Sequence, residues 1–218
     1  MNANTICGFL WVAWWLVWIA CAFQSKKTEQ REGIASRLTY TFVAWLAMYI
    51  LISARGLGSW LRTDVLPYQA WMGWLGIAIT ALGFALTLWA RYILGDNWSG
   101  TVIIKVEHEL IRTGPYRYVR HPIYTGIIVA LVGTALARDQ WRGVAAVLLL
   151  WVSFTIKRLK EEQFMRQTFG TQYIEYSQTT GAISPIPCAA IPNYVKWPMR
   201  TLPAFACGRG GRRRRSPR

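Results

Sequence analysis

Hydrophobic positions in this chain come in long unbroken runs, not in the short alternations of a soluble core. Asn4 to Phe23, Leu38 to Ala54 and Trp71 to Leu94 are nearly uncharged, and each is close to the roughly 20 residues a helix needs to cross a bilayer. They predict three membrane-spanning helices. Ile123 to Ala137 and Gly143 to Ile156 are shorter, and the RDQWR between them leaves room only for a tight turn. These two runs predict a helical hairpin, either tilted and extended past its apolar limits or shielded by neighbouring helices. The pattern therefore predicts an all-α integral membrane protein with about five transmembrane helices, the last two forming a C-terminal hairpin.

The polar stretches between the runs are as informative as the runs. GPYRYVRHPIYTG, Gly114 to Gly126, packs two Arg, a His, three Tyr and two Pro against the start of an apolar helix. Lipid would not tolerate that density of polar groups, so the stretch must face water, protein or a ligand. Pro115 fixes its own φ and disfavours helix at Gly114, which marks a turn. Pro122 suits the first turn of the next helix and makes His121 its start, where free backbone N–H groups attract an anion. Beyond the hairpin, KRLKEEQFMRQTFGTQYIEY predicts that the fifth helix continues as an amphipathic extension. Arg158 and Glu162, four residues apart, share a face of it.

Charge adds an orientation. The formal net charge is +15, and Lys and Arg gather after the first, third and fifth runs. By the positive-inside rule the N-terminus lies outside and the C-terminus inside. The loop from Gly95 to Arg120 and the post-hairpin segment then share the cytoplasmic face, expected here of a bacterial inner membrane. The first run has no basic residues before it and no cleavage pattern after it, so it is expected to be retained. Its Trp11, Trp14, Trp15 and Trp18 recur at helical spacing and predict an interhelix or lipid-facing aromatic stripe. Cys7, Cys21, Cys188 and Cys207 lack the spacing of a disulfide framework or zinc site, and His108 and His121 are too far apart to form a helical pair. No metal is expected. Six of the nine prolines follow residue 184, and the chain closes on CGRGGRRRRSPR. That composition predicts a disordered tail over 186–218, whose expected partner is the anionic lipid leaflet and not nucleic acid.

HELIRTGPYRYVRHPIYTG, followed after the hairpin by RLKEEQFMRQTFGTQYIEY, resembles the catalytic region of the isoprenylcysteine carboxyl methyltransferase family, which is related to membrane phospholipid methyltransferases. The resemblance covers residues 91–185, with 1–90 as N-terminal transmembrane helices. It implies S-adenosyl-L-methionine as cofactor in a cytoplasmic pocket without a Rossmann domain. By correspondence His108, Glu109, Leu110, Ile111, Tyr116, His121, Pro122, Ile123, Tyr124 and Glu162 line that cofactor, and Arg158 positions the substrate.

The residues agree in kind. The cofactor offers a carboxylate, a sulfonium, a ribose diol and a flat adenine, so its pocket needs donors, aromatic faces and a carboxylate acceptor. Tyr116, His121, Tyr124 and Glu162 supply much of that set. Arg117 and Arg120 have two readings, as pocket wall or as snorkelling side chains at the headgroups. The expected reaction is methylation of the carboxylate of a lipophilic, isoprenylcysteine-like acceptor. A phospholipid amine or small thiol is the alternative acceptor, and a non-catalytic binding or transport protein is the alternative class. An ion path finds little support, since Arg91 is the only charge within the three long runs.

Overall fold

The structure is a computed structural model that describes residues 2–22, 28–31, 34–53, 55–67, 69–95, 103–105 and 110–185. Helices α1 (Ala3–Ala22), α2 (Ile34–Ile52), α3 (Ala70–Leu94), α4 (Pro122–Arg138), α5 (Trp141–Phe169) and α6 (Thr171–Thr179) carry most of it. The all-helical expectation needs one correction. Strands β1 (Thr28–Arg31) and β2 (Ile103–Lys105) pair antiparallel, and the β-branched TVIIKV supplies the second of them.

The five long helices alternate in direction. Cys7, Trp14 and Cys21 of α1 meet Thr80, Thr87 and Arg91 of α3 in the same order, so these two run parallel. Ser153 of α5 bonds the Tyr40 carbonyl of α2 at 2.7 Å, and Arg142 bonds that of Ile52 at 3.2 Å, so that pair is antiparallel. The predicted hairpin is present. α4 ends at Arg138 and α5 begins at Trp141, with Asp139 in the left-handed region at φ 48. Asp is among the few residues that tolerate that region, and its carboxylate accepts from the distant Leu66 amide at 3.2 Å, tying the turn to the segment before α3.

The centre of the bundle is the α3–α4 seam. Gly76, Thr80, Gly83 and Thr87 face Gly126, Ala130, Gly133 and Ala137, and the backbones approach so closely that a Cβ on Gly83 would sit 2.4 Å from the Ala130 nitrogen. Small residues at four-residue spacing permit that approach, which is how helices associate where lipid offers no hydrophobic driving force. Tryptophans of α1 finish the seam. Trp14 Nε1 donates to Thr87 Oγ1 at 2.7 Å and Trp11 Nε1 to Thr134 Oγ1 at 3.0 Å, while Trp14 stacks on Phe84 and Trp18. Of the predicted aromatic stripe, Trp11, Trp14 and Trp18 pack between helices and Trp15 faces outward.

The outside of the bundle is apolar. Phe42, Trp45, Leu82 and Leu148 are exposed, and Trp71 and Trp74 at one end of α3 answer Trp89 and Tyr92 at the other. At 1.5 Å per residue, Trp71 and Tyr92 stand about 30 Å apart, the thickness of a hydrocarbon core with its two aromatic belts. α1 and α3 are both long and apolar enough to cross a membrane, whereas Leu38–Ile52 and Pro122–Arg138 are shorter apolar helices.

Candidate active site

The polar ends of α4, α5 and α6 meet where the apolar seam stops. Gly114 opens a 3-10 turn, Gly114–Arg117, at φ +58, and a Cβ there would lie 3.0 Å from Ile93 of α3. This turn buries Tyr116, whose hydroxyl reaches the Ala90 carbonyl at 3.4 Å. α4 begins at Pro122 with His121 as its cap, as the sequence predicts, yet the imidazole makes no capping bond. It points across to α5 instead.

There it lies between adjacent carboxylates. His121 Nδ1 is 3.3 Å from Glu161 Oε2 and Nε2 is 3.3 Å from Glu162 Oε1. Only the imidazolium can donate at both nitrogens. Burial opposes that charge, but hydrogen bonds and fields from Glu161 and Glu162 outweigh it and raise the His121 pKa above its ordinary value. Glu162 is 2% exposed. Burial disfavours its ionised form, yet His121, Arg120 and Arg158 together pull its pKa down to about 2. Glu161 is lowered in the same way: burial is overcome by His121, Lys157 and Tyr124. Tyr124 donates to Glu161 Oε1 at 2.6 Å and stacks on Phe154 at 4.6 Å, with Lys157 Nζ 5.4 Å above its ring.

Arg120 is not a snorkelling residue. It is 7% exposed, and its Nε and Nη2 hold Glu162 Oε1 at 3.3 and 3.1 Å. Arg158 Nη1 approaches the same oxygen at 3.6 Å as an i,i+4 pair, so the two residues share a face as predicted. Arg117, by contrast, is exposed. It joins Arg112, Glu175, Tyr176, Thr179 and Thr180 around a surface cleft of about 280 Å³, which none of the sequence-predicted site residues lines.

The structure thus brings together Tyr116, His121, Pro122, Ile123, Tyr124, Arg158 and Glu162. Tyr116, Ile123 and Tyr124 form one buried cluster with Ala90, against which Ile111 packs. Leu110 is half-buried next to Ile111, and His108 and Glu109 lie outside the described residues. Sequence reasoning did not single out Glu161, Lys157 or Tyr176. The adjacent pair EE opposite a helix-start His was the available signal for Glu161. Nothing local pointed to Tyr176, whose hydroxyl donates to the Tyr116 carbonyl at 2.5 Å.

Two features of this network suit a ligand. Glu162 Oε2 is buried and accepts no hydrogen bond from the described residues. Around the two carboxylates stand Arg120, His121, Lys157, Arg158 and Arg166, so positive charge exceeds negative charge among the described residues. A carboxylate-bearing ligand with hydroxyl donors would satisfy both.

Comparison with known proteins points the same way. The phospholipid methyltransferase family model matches residues 71–172. Protein-S-isoprenylcysteine O-methyltransferase B of Arabidopsis thaliana is 31% identical over 111 residues, 50% of this chain and 56% of that protein. The cobalt-zinc-cadmium resistance protein CzcN of Cupriavidus metallidurans is 29% identical over 167 residues, 75% of this chain and 68% of that protein. The chain spans little more than half the length of the isoprenylcysteine methyltransferases it matches first. Its fold is similar to that of a eukaryotic intramembrane Ras methyltransferase, isoprenylcysteine carboxyl methyltransferase, with TM-score 0.51 and 24% identity over 68% of this chain and 53% of the other. The two halves of the sequence motif meet in one buried network, and the residues that build it fall within the region that is similar to phospholipid and isoprenylcysteine methyltransferases.

Proposed function

We propose that the chain is a membrane-embedded, S-adenosyl-L-methionine-dependent methyltransferase that methylates the carboxylate of a lipophilic, isoprenylcysteine-like acceptor. The observation that carries this reading is Glu162: a buried, ionised carboxylate, held at one oxygen by Arg120 and His121, with its other oxygen accepting no bond from the described residues. Tyr116, His121, Ile123, Tyr124 and Glu162 would hold the cofactor, together with the Leu110–Ile111 stretch. When bound, the cofactor supplies an electrophilic methyl on a sulfonium.

The protein's part is positioning and water exclusion. An acceptor carboxylate is already ionised near neutral pH and needs no base. An anion meeting a sulfonium loses charge on the way to the transition state, so a poorly hydrated cleft favours the transfer. Arg158, more exposed than Arg120 and at the edge of the network, would aim the carboxylate with its planar fork. Five membrane crossings with this end on the cytoplasmic side would bring the cofactor from water and the acceptor from the bilayer. A phospholipid amine or thiol acceptor would instead need a proton route, for which Tyr124, Glu161 and His121 stand in hydrogen-bonded contact.

The test pairs calorimetry with S-adenosyl-L-methionine and initial rates on prenylcysteine, phospholipid amine and thiol acceptors. Binding with prenylcysteine turnover supports the reading, and a folded protein without cofactor affinity overturns it. In Arg158→Lys, turnover is expected to fall about tenfold or more while cofactor affinity changes little.

A further inference from the structure

The segment after α6 is strapped to the start of α4. The amides of Arg120 and His121 donate to the Gly181 and Ala182 carbonyls at 2.8 and 3.0 Å. Val119 and Gly181 form a parallel bridge, and Thr125 Oγ1 donates to the Ile183 carbonyl at 2.6 Å. Arg120 closes this assembly from within. Its Nη1 donates to the carbonyls of Ser177, at 3.0 Å, and Thr180, while the rest of the same guanidinium holds Glu162.

That arrangement does two things at once. α6 has nine residues and no basic residue in its last turn, so it is too short to be stable alone and lacks a cation of its own for its C-terminal carbonyls. Arg120 supplies that cation from another element. It also fixes Oε1 of Glu162, and a carboxylate fixed at one oxygen has its second oxygen fixed in direction. Arg158 cannot substitute, because it lies on the same helix as Glu162, four residues away, and so ties it to no other element.

We propose that Arg120 is a positioning residue which, by clamping the 177–183 strap to Glu162, holds Glu162 Oε2 in the direction from which it accepts a cofactor hydroxyl. This rests on the reading of Glu162 as a cofactor ligand. Arg120 itself touches no reacting atom. Its role is geometric: one planar fork spans the carboxylate and two carbonyls, which a lysine ammonium on a flexible stem cannot do.

The experiment uses wild type, Arg120→Lys, Thr125→Val and Arg158→Lys in the same nanodiscs. Amide hydrogen exchange over 171–183, cofactor affinity by calorimetry, and the cofactor KM and kcat are measured for each. For Arg120→Lys, exchange over 171–183 should quicken and cofactor affinity should fall, each about tenfold or more, with kcat at saturating cofactor changed by less than about threefold. Thr125→Val removes the strap's bond to Thr125 without touching Glu162 and should move both quantities the same way by a smaller factor, which keeps the test open if Arg120→Lys does not fold. Arg158→Lys should leave exchange over 171–183 at the wild-type rate. A strap loosened at unchanged cofactor affinity, or affinity lost with the strap intact, overturns the proposal. If wild type itself does not bind S-adenosyl-L-methionine, the functional reading falls and this proposal with it. If wild type binds and both strap variants bind equally well, this proposal alone falls.

Discussion

The α3–α4 seam and the network around Glu162 are joined end to end, yet they are held by opposite means. The seam contains only glycine, alanine and threonine at its contact line, and its strength is close backbone approach, with threonine hydroxyls taking the tryptophan N–H groups of α1. The network contains the charges; its strength is compensation, each carboxylate held by at least two donors or cations. The first is intolerant of added volume and indifferent to protons. The second tolerates small shape changes and is sensitive to protonation. A protein that must be rigid within lipid and receptive at its surface can keep the two demands apart by placing them at different heights on the same helices.

The largest effect is expected where volume is added to the seam. Gly83→Val places atoms inside the backbone of α4, whose nearest atoms lie 2.4 to 2.8 Å from the new Cβ. A loss of about 3 kcal/mol or more is expected, read as a collapse in the folded fraction in nanodiscs. A variant of wild-type stability would mean that the helices are farther apart than described.

Next comes the carboxylate. Glu162→Gln keeps the shape but removes the charge that Arg120, His121 and Arg158 share. Cofactor affinity should fall by about 1.5 to 3 kcal/mol, the scale of charge-assisted bonds, while the bundle stays folded. Unchanged calorimetric affinity would return Glu162 to a purely structural role.

Protons should divide the two regions more finely. The His121 pKa is raised, so its contribution is complete below its ordinary 6.5 and fades as pH rises through its folded value. Glu162 is lowered, so its contribution is complete above its ordinary 4.5 and is lost as pH falls toward about 2. The stability difference between wild type and His121→Gln should therefore narrow as pH rises past the raised value. The difference between wild type and Gly83→Val should stay flat over that range, because no titrating group lies on the seam's contact line. A parallel drift of both would show that the two regions are coupled.

The smallest effect belongs to a single seam hydroxyl. Thr134→Val removes the acceptor for Trp11 Nε1, and about 1 kcal/mol is expected from thermal unfolding. Cofactor affinity should not change with it.

The order of the helices and their alternation were legible in the chain because run length and hairpin spacing are local, one-dimensional constraints. So was the start of α4, since Pro122 can only begin a helix there. The i,i+4 relation of Arg158 and Glu162 followed from helical periodicity alone. What periodicity cannot express is which face meets which. Arg120 read equally well as pocket wall or as a headgroup-seeking side chain, and only the return of residues 177–183 to the α4 start showed that carbonyls and a carboxylate wait for it inside. The same holds for His121. Its place at a helix start was written in HP, but its pairing with Glu161 and Glu162 spans some forty positions and depends on α4 and α5 lying antiparallel at a particular height. The seam, too, was present in the sequence as glycines and threonines four apart, without any sign of their partners. Local propensity determined the elements and their polarity; packing between distant segments decided which charges are buried together, because burial and pairing are properties of neighbours that the chain brings into contact only when folded.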